Sequence, residues 1–357
     1  MNLTSRMSDK PGEDTGAGKV PSMSVVVRVY NSQSTLKQCL AAVKASAYKD
    51  YELIVVDDAS RDMTETIAAA YADTVIRLGE HRGRFYAKEI GLRAARAQII
   101  VNIDSDVVIR EDSLGKIFSY AERHPEVSAL TGRLAKEYPY PHFFSRYKNL
   151  YMNYIFGKLP EKINFLYGSI CAMRKEAIVN LDFVPARGQD TIFGMKMILE
   201  GKEIRFLRDL EVVHLKKYTF MSFVKNDFLI SFSWAKVIVL GEGWKQLWKN
   251  KTGFAHAPRW QIMSVAAAPA TMMIGFLSFF LHAAAAVAFV LAAGWFSLNI
   301  PLLKFFFTER GFLFGLCSAG ITFLDNVVMF CGIISGFGVG ILSMLRTSWK
   351  RGQGAVK

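Results

Sequence analysis

From residue 23 onward the chain alternates short apolar runs with amphipathic stretches. Residues 24–29 are a β-branched run. Residues 34–45 then place Leu36, Leu40 and Val43 on one helical face behind Ser34, a residue type that caps helices. The same alternation predicts a strand over 53–56, a helix over 63–71, a strand over 74–77, a helix over 85–97 and a strand over 99–103. Strands separated by helices of this length specify parallel βαβ units, because parallel neighbours need a crossover connection. Further on, residues 137–159 are less regular and rich in Tyr, Phe, Pro and Arg. They suit either a surface loop with a helix packed on the sheet or an element facing the acceptor or the membrane. A strand over 165–173, a helix from Gln189-Asp190 to residue 199, and short strands over 204–207 and 212–214 complete this part.

The C-terminal third changes character. Residues 220–240 mix Phe, Trp and Ile with Lys225, Asp227 and Lys236, and Trp244 and Trp248 follow, a composition that favours helices lying at a bilayer interface. Between residues 262 and 300 the only ionisable side chain is His282, and between 311 and 345 the only charged one is Asp325. As single helices these blocks would measure about 58 Å and about 52 Å, well beyond the ~30 Å hydrocarbon core. Turns near His282 and near Asp325-Asn326 therefore predict four short spans in two hairpins. Two long tilted helices are the alternative, and an odd number is disfavoured because it would carry the basic tail across. The resulting plan is a disordered leader over 1–21, an α/β domain over 22–218, interfacial helices over 219–260, a transmembrane region over 261–346 and a basic cytoplasmic tail over 347–357.

Composition sharpens this picture. The 357 residues are 51% hydrophobic, which excludes a disordered or fibrous chain, and 44 Lys+Arg against 31 Asp+Glu leave a net charge of +13. The basic residues flank the apolar blocks: Lys245, Lys249, Lys251 and Arg259 precede the first, and Arg346, Lys350 and Arg351 follow the last. That distribution points to anionic lipid as the partner of the charge and away from nucleic acid. Cys39, Cys171, Cys317 and Cys331 are too widely spaced for a C-x-x-C pair, and no secretory signal precedes the first domain, so a reducing cytoplasmic setting is expected for the soluble part.

Ligands of such sheets bind beyond the carboxyl ends of the strands. Here those ends read Tyr30-Asn31, Asp57-Asp58 and Asp104-Ser105-Asp106. In an extended segment Asp104 and Asp106 point the same way, so both can reach one divalent cation and the diphosphate it holds. Mg2+ and Mn2+ accept such oxygen ligands. A solvated acidic loop is the plainer alternative. Asp57 or Asp58 could accept a hydrogen bond from a base or ribose, and Asp58, Ser60 or Asp62 could equally cap the next helix.

In order, Val29-Tyr30-Asn31, Val55-Val56-Asp57-Asp58-Ala59-Ser60, His81-Arg82-Gly83-Arg84 and Asp104-Ser105-Asp106 resemble the family-2 glycosyltransferases of the GT-A fold over about residues 23–215. The resemblance implies an α/β fold of GT-A type, a Rossmann-like mixed sheet that binds a nucleotide-diphospho-sugar. It implies that Tyr30, Asn31, Asp57 and Asp58 line a nucleoside pocket, that Arg82 and Arg84 approach the base or diphosphate, and that Asp104 and Asp106 hold nucleotide and metal. The family's acidic helix start, often E-D-x-x-L, aligns with Gln189-Asp190-Thr191-Ile192-Phe193, which implies that Asp190 is the catalytic base, a simple helix N-cap being the alternative; Gln189 and Phe193 depart from the pattern. His214 matches a histidine that some members add to the metal or diphosphate, and a structural role is the alternative.

One base and no second nucleophile imply a single inverting displacement. Processive synthases of this superfamily carry Q-x-x-R-W, whereas Ile230-Ser231-Phe232-Ser233-Trp234 keeps only the Trp, so single transfers are expected. The reading is a metal-dependent (Mg2+ or Mn2+) inverting enzyme of the bacterial inner membrane. It would be multi-pass, with a cytoplasmic catalytic domain, and would use a nucleotide-sugar donor, expected to be a UDP-sugar, and a lipid or lipid-linked glycan acceptor. Its rivals are a polyprenyl-phosphate glycosyltransferase resembling dolichol-phosphate mannose synthase and a non-catalytic membrane scaffold.

Overall fold

The computed structural model describes residues 19–178, 189–240, 253–254 and 256–354. Most of the expected leader, Trp244, Trp248, Lys245, Lys249, Lys251 and the last three residues lie outside the described residues.

The first half follows the predicted alternation: β1 (Met23–Val29), α1 (Leu36–Lys44), β2 (Tyr51–Asp57), α2 (Thr64–Ala69), β3 (Thr74–Arg77), α3 (Arg84–Ala94) and β4 (Ile99–Asp104). β1 and β2 are buried along almost their whole length, as a parallel strand covered on both faces must be. α1 buries Leu36, Cys39, Leu40 and Val43, the i, i+3, i+4, i+7 stripe of a helix packed on a sheet. The chain continues through β5 (Val107–Ile109), α4 (Ser113–Arg123), β6 (Val127–Leu134), α5 (Phe143–Gly157), β7 (Lys162–Ile163), β8 (Ile170–Arg174), α6 (Gln189–Leu199), β9 (Glu203–His214) and α7 (Phe220–Leu240).

The strand order is β3-β2-β1-β4-β8-β6-β9-β5, with β7 on β9. β3, β2, β1 and β4 run parallel, while β8 is antiparallel to both β4 and β6, so the sheet is mixed. Two sequence expectations are refined. The irregular stretch before residue 159 contains α5, whose Tyr147, Leu150, Tyr151, Ile155 and Phe156 are buried. The two short strands after residue 203 are one strand, β9, with a register shift between Phe206 and Glu211 that accommodates the exposed Arg208-Asp209.

Three C-terminal helices, α8 (Arg259–Leu277), α9 (Ala283–Arg310) and α10 (Phe312–Gly354), are long and apolar enough to cross a membrane. The break at His282 is where the sequence places it. The second hairpin is not formed: α10 runs unbroken through Asp325-Asn326, so among the described residues three helices long enough to cross a membrane stand where four short spans were expected. The polar pair needs no turn because it faces protein. Asp325 and Asn326 are buried, Asn326 and Asn299 each donate to Ser264 Oγ at 2.6 Å, and Tyr147 donates to Thr322 Oγ1 at 3.1 Å. Intramembrane polar groups are tolerated where they face the bundle interior. The outward faces are apolar, with Phe276 67% and Phe289 74% exposed.

α7 lies along α10. Gly332, Gly336 and Gly340, four residues apart, bring the two backbones together: a Cβ at Gly332 or Gly336 would overlap the carbonyl oxygens of Phe228 or Phe232, and one at Gly340 would meet Val239. We predict that Gly336→Leu forces these helices apart and destabilises the protein by about 1–3 kcal/mol. Gly338→Leu, at a position with open space around it, leaves the unfolding temperature of the detergent-solubilised protein close to wild type. Equal unfolding temperatures for the two variants would refute this packing.

Candidate active site

A cavity of about 590 Å3 opens at the carboxyl rim of the sheet and continues toward α7 and α8. Its floor is built by strand register. Arg28 sits opposite Asp104 across the β1/β4 pair, and Arg28 Nη2 meets Asp104 Oδ1 at 2.6 Å. β5 and β9 align Val107 with His214, which brings His214 Nε2 to 3.4 Å from Asp106 Oδ2. Asp190, in the first turn of α6, receives Lys88 Nζ at 2.5 Å, and the Lys88 side chain is only 4% exposed. Gly168 makes this approach possible, because a Cβ there would overlap the Asp190 carboxylate.

These contacts set the protonation states. Burial pushes the Asp104 carboxyl up, and Asp106 and Asp190 add to that, so Arg28 only partly offsets the rise. Burial also opposes the Asp106 anion, but the charge and hydrogen bond of His214, with Lys216, hold it at about 2. Asp190 likewise stays below its ordinary value despite burial, because Lys88, Arg28 and Arg84 outweigh desolvation. Lys88 is pulled up by the same pairing, which exceeds the opposing effect of its burial.

The second part of the rim is made by the loops after β1 and β2. Tyr30 is exposed and stacks on His81, with ring centroids 3.9 Å apart. Asp58 fixes the loop beneath: its carboxylate accepts from the backbone N–H groups of Arg82 and Gly83 at 2.8 Å each and lies 2.9 Å from His81 Nδ1. Asn31 and Ala59 take left-handed backbone conformations there, with φ of 47° and 61°. Of the residues singled out in the sequence, Tyr30, Asp58, Arg84, Asp104, Asp106, Asp190 and His214 line the cavity. Asn31, Asp57 and Arg82 are not among its lining residues. Asn31 accepts from Arg61 N–H and its own N–H donates to Ser60 Oγ, while Asp57 accepts from Ser60, so these two brace the loops. The Arg82 guanidinium lies over the Tyr86 ring.

Several lining residues were not legible as site residues: Arg28, Lys148, Lys216, Lys217 and Lys225, with Lys88 behind Asp190. Arg28 alone left a trace, as a lone charge inside a β-branched run. Among the described residues no three His, Cys, Asp or Glu side chains cluster tightly enough to hold a metal ion by themselves. The donor set nevertheless fits one. Asp104, Asp106 and His214 offer oxygen and imidazole ligands, and the upward push on Asp104 from neighbouring carboxylates is a charge surplus that a divalent cation would answer. Mg2+ in particular is usually held by one or two carboxylates plus substrate phosphate and water.

The profile of Glycosyl transferase family 2 matches residues 24–181. An N-acetylglucosaminyltransferase of Bradyrhizobium elkanii is 30% identical over 123 residues, 32% of this chain and 67% of that protein. The chain belongs to glycosyl transferase family 2. The succinoglycan biosynthesis protein ExoO of Rhizobium meliloti is 36% identical to this family-2 glycosyltransferase over 107 residues, 29% of this chain but only 31% of the relative's length. Among solved structures, the mannosyltransferase PcManGT of Pyrobaculum calidifontis, in complex with GDP-Man and Mn2+, shares the fold with a TM-score of 0.54 at 17% identity. The likeness covers 91% of this chain and 88% of that one. The GT-A architecture with its C-terminal helices is therefore shared.

Removing one partner of a buried ion pair typically costs about 3–5 kcal/mol. Lys88→Met is expected to destabilise the family-2 enzyme by that order and to let the Asp190 carboxyl rise. In the wild type, the stabilisation from Asp190 is present above the ordinary carboxylate range and is lost as pH falls through its lowered folded value. In the variant the folded value moves toward or above the unfolded one, so this loss is smaller or absent and stability falls less steeply with acid. Unfolding temperatures recorded from pH 7 down to pH 3 check this, and parallel curves for the two proteins would contradict it.

Proposed function

We propose that this family-2 glycosyltransferase moves a sugar, with inversion, from a nucleotide-diphosphate donor to a hydroxyl of a membrane-held lipid or lipid-linked glycan. The observation that carries the reading is one continuous cavity, lined at one end by Asp104, Asp106 and Asp190 and at the other by side chains of α7 and α8. Three apolar helices beside it favour an acceptor confined to a bilayer. We place the protein as a multi-pass enzyme of the bacterial cytoplasmic membrane with its catalytic domain on the cytoplasmic side.

In this reading Tyr30 offers a flat ring to the base, Asp58 holds the loop around it, and Arg84 and Lys216 face the diphosphate. Asp104, Asp106 and His214 would hold Mg2+ or Mn2+, which supplies charge neutralisation to the departing diphosphate. The acceptor oxygen attacks the anomeric carbon from the face opposite the phosphate. The new C–O bond forms as the carbon–phosphate oxygen bond breaks, the nucleoside diphosphate leaves with the electron pair, and the hydroxyl proton passes to Asp190. Because Lys88 keeps Asp190 a weak base, the proton moves late, once bond formation has made the hydroxyl acidic. The donor is read as a UDP-sugar, with GDP-mannose as the comparison that PcManGT suggests.

One observation favours a second reading, a polyprenyl-phosphate acceptor. Asp190 is already engaged by Lys88, and Lys216, Lys217 and Lys225 line the same cavity. A phosphate needs no base, so Asp190 separates the two. Asp190→Asn is expected to slow transfer to a hydroxyl by about 10²–10⁴-fold and to leave transfer to an alkyl phosphate near the wild-type rate. Product formation from UDP-glucose, UDP-N-acetylglucosamine and GDP-mannose, followed by mass spectrometry, checks this; an undiminished hydroxyl transfer would remove Asp190 from the mechanism. Chelation with EDTA is expected to stop turnover and added Mn2+ or Mg2+ to restore it, and full activity in EDTA would refute the metal site.

A further inference from the structure

The part of the cavity lined by α5, α7 and α8 is a chamber whose polar groups the donor chemistry does not use. Asn149 and Gln261 line it and are 4% and 6% exposed. Asn149 Nδ2 donates to the carbonyl oxygen of Ala135 at 2.8 Å, and Gln261 Nε2 donates to the Tyr151 hydroxyl. The Asn149 amide is oriented by the carbonyl it donates to, and Asn149 Oδ1 and Gln261 Oε1 are buried with no hydrogen-bond partner. A buried acceptor without a donor is costly, and the cost is recovered only by a ligand that brings N–H or O–H groups.

The other polar groups of the chamber say which kind. Lys148 is matched by Asp227, Nζ to Oδ2 at 2.5 Å, so its charge is already answered. His256, wedged against Trp234 with ring centroids 4.8 Å apart, is neutral: burial and the nearby Lys148 hold it at about 3, and it offers one donor and one acceptor. A phosphate brings no donor to the two amide oxygens, and the Lys148 charge beside them is already matched. A ring bearing several hydroxyls would satisfy both.

We propose that this chamber binds an uncharged sugar ring of the acceptor through hydroxyls donated to Asn149 Oδ1 and Gln261 Oε1. The inference rests on the glycosyl-transfer reading above and narrows its acceptor to a carbohydrate-bearing lipid. Lys217 and Lys225, which line the same cavity, would face the phosphate-bearing parts of donor or acceptor.

The test uses the full chain in lipid nanodiscs with Mn2+, each of the three nucleotide sugars, and two acceptor probes below their micellar concentrations: octyl β-glucoside and octyl phosphate. Expected is glycosylation of the octyl glucoside and none of the octyl phosphate. Asn149→Leu and Gln261→Met are each expected to raise KM for the glucoside about tenfold, with a smaller change in kcat. A rise in unfolding temperature on adding UDP or GDP with Mn2+ reports that each variant's donor site is folded. Exclusive use of octyl phosphate, or an unchanged KM in both variants, overturns the inference while leaving glycosyl transfer intact. Should either variant fail to fold, the wild-type choice between the two probes decides. Absence of both transfer and donor hydrolysis with every donor refutes the underlying reading and this inference with it.

Discussion

Carboxylates gathered at the end of a buried sheet repel one another, and two buried cations let Asp104, Asp106 and Asp190 share one cavity. Arg28 reaches Asp104 from the neighbouring strand and Lys88 reaches Asp190 from α3. Bringing charge into such a place is expensive unless each ion has a partner with good geometry. Once the pairs are made, like charges can stand together at the rim of one cavity. The three acids are consequently not equivalent. His214 and Lys216 keep Asp106 strongly ionised, Lys88 keeps Asp190 ionised, and Asp104 carries the crowding.

The C-terminal helices contribute to the cavity, which Gln261 of α8 and Met329 of α10 help to line. α5 links the sheet to them: Tyr147 hydrogen-bonds to Thr322 of α10, Lys148 pairs with Asp227 of α7, and Asn149 and Tyr151 line the cavity. Lys136, just after β6, pairs with Glu309 near the end of α9 at 2.5 Å. The α/β sheet domain is thereby held against the helices at several points. The glycine stripe of α10 seats α7 closely enough for Ile230, Ser231 and Trp234 to form a wall of the cavity.

Much of the fold was legible in the chain. The alternation of β-branched runs with helical stripes located β1 to β4 and α1 to α3 within a few residues, because a parallel sheet covered on both faces demands that pattern. The acidic ends of those strands, and Asp190 at the start of α6, were equally visible, since the rim of such a sheet is where ligands bind. The hairpin expected at Asp325-Asn326 failed for a definite reason. Periodicity and hydropathy measure one helix against lipid, and they cannot see that Ser264, Asn299 and Tyr147 arrive from other helices to face the polar side of α10.

By itself, then, the sequence determined the class of sheet, the order of its acidic motifs and the presence of a long apolar C-terminal region, all of which are local properties of period, propensity and composition. Tertiary structure alone decided which cations neutralise which acids, that Asn31 and Asp57 brace loops instead of lining the cavity, and that α5, α7 and α8 supply its far end. Those outcomes depend on residues tens to more than a hundred positions apart, as Lys88 and Asp190 are. Only the folded chain brings them within bonding distance.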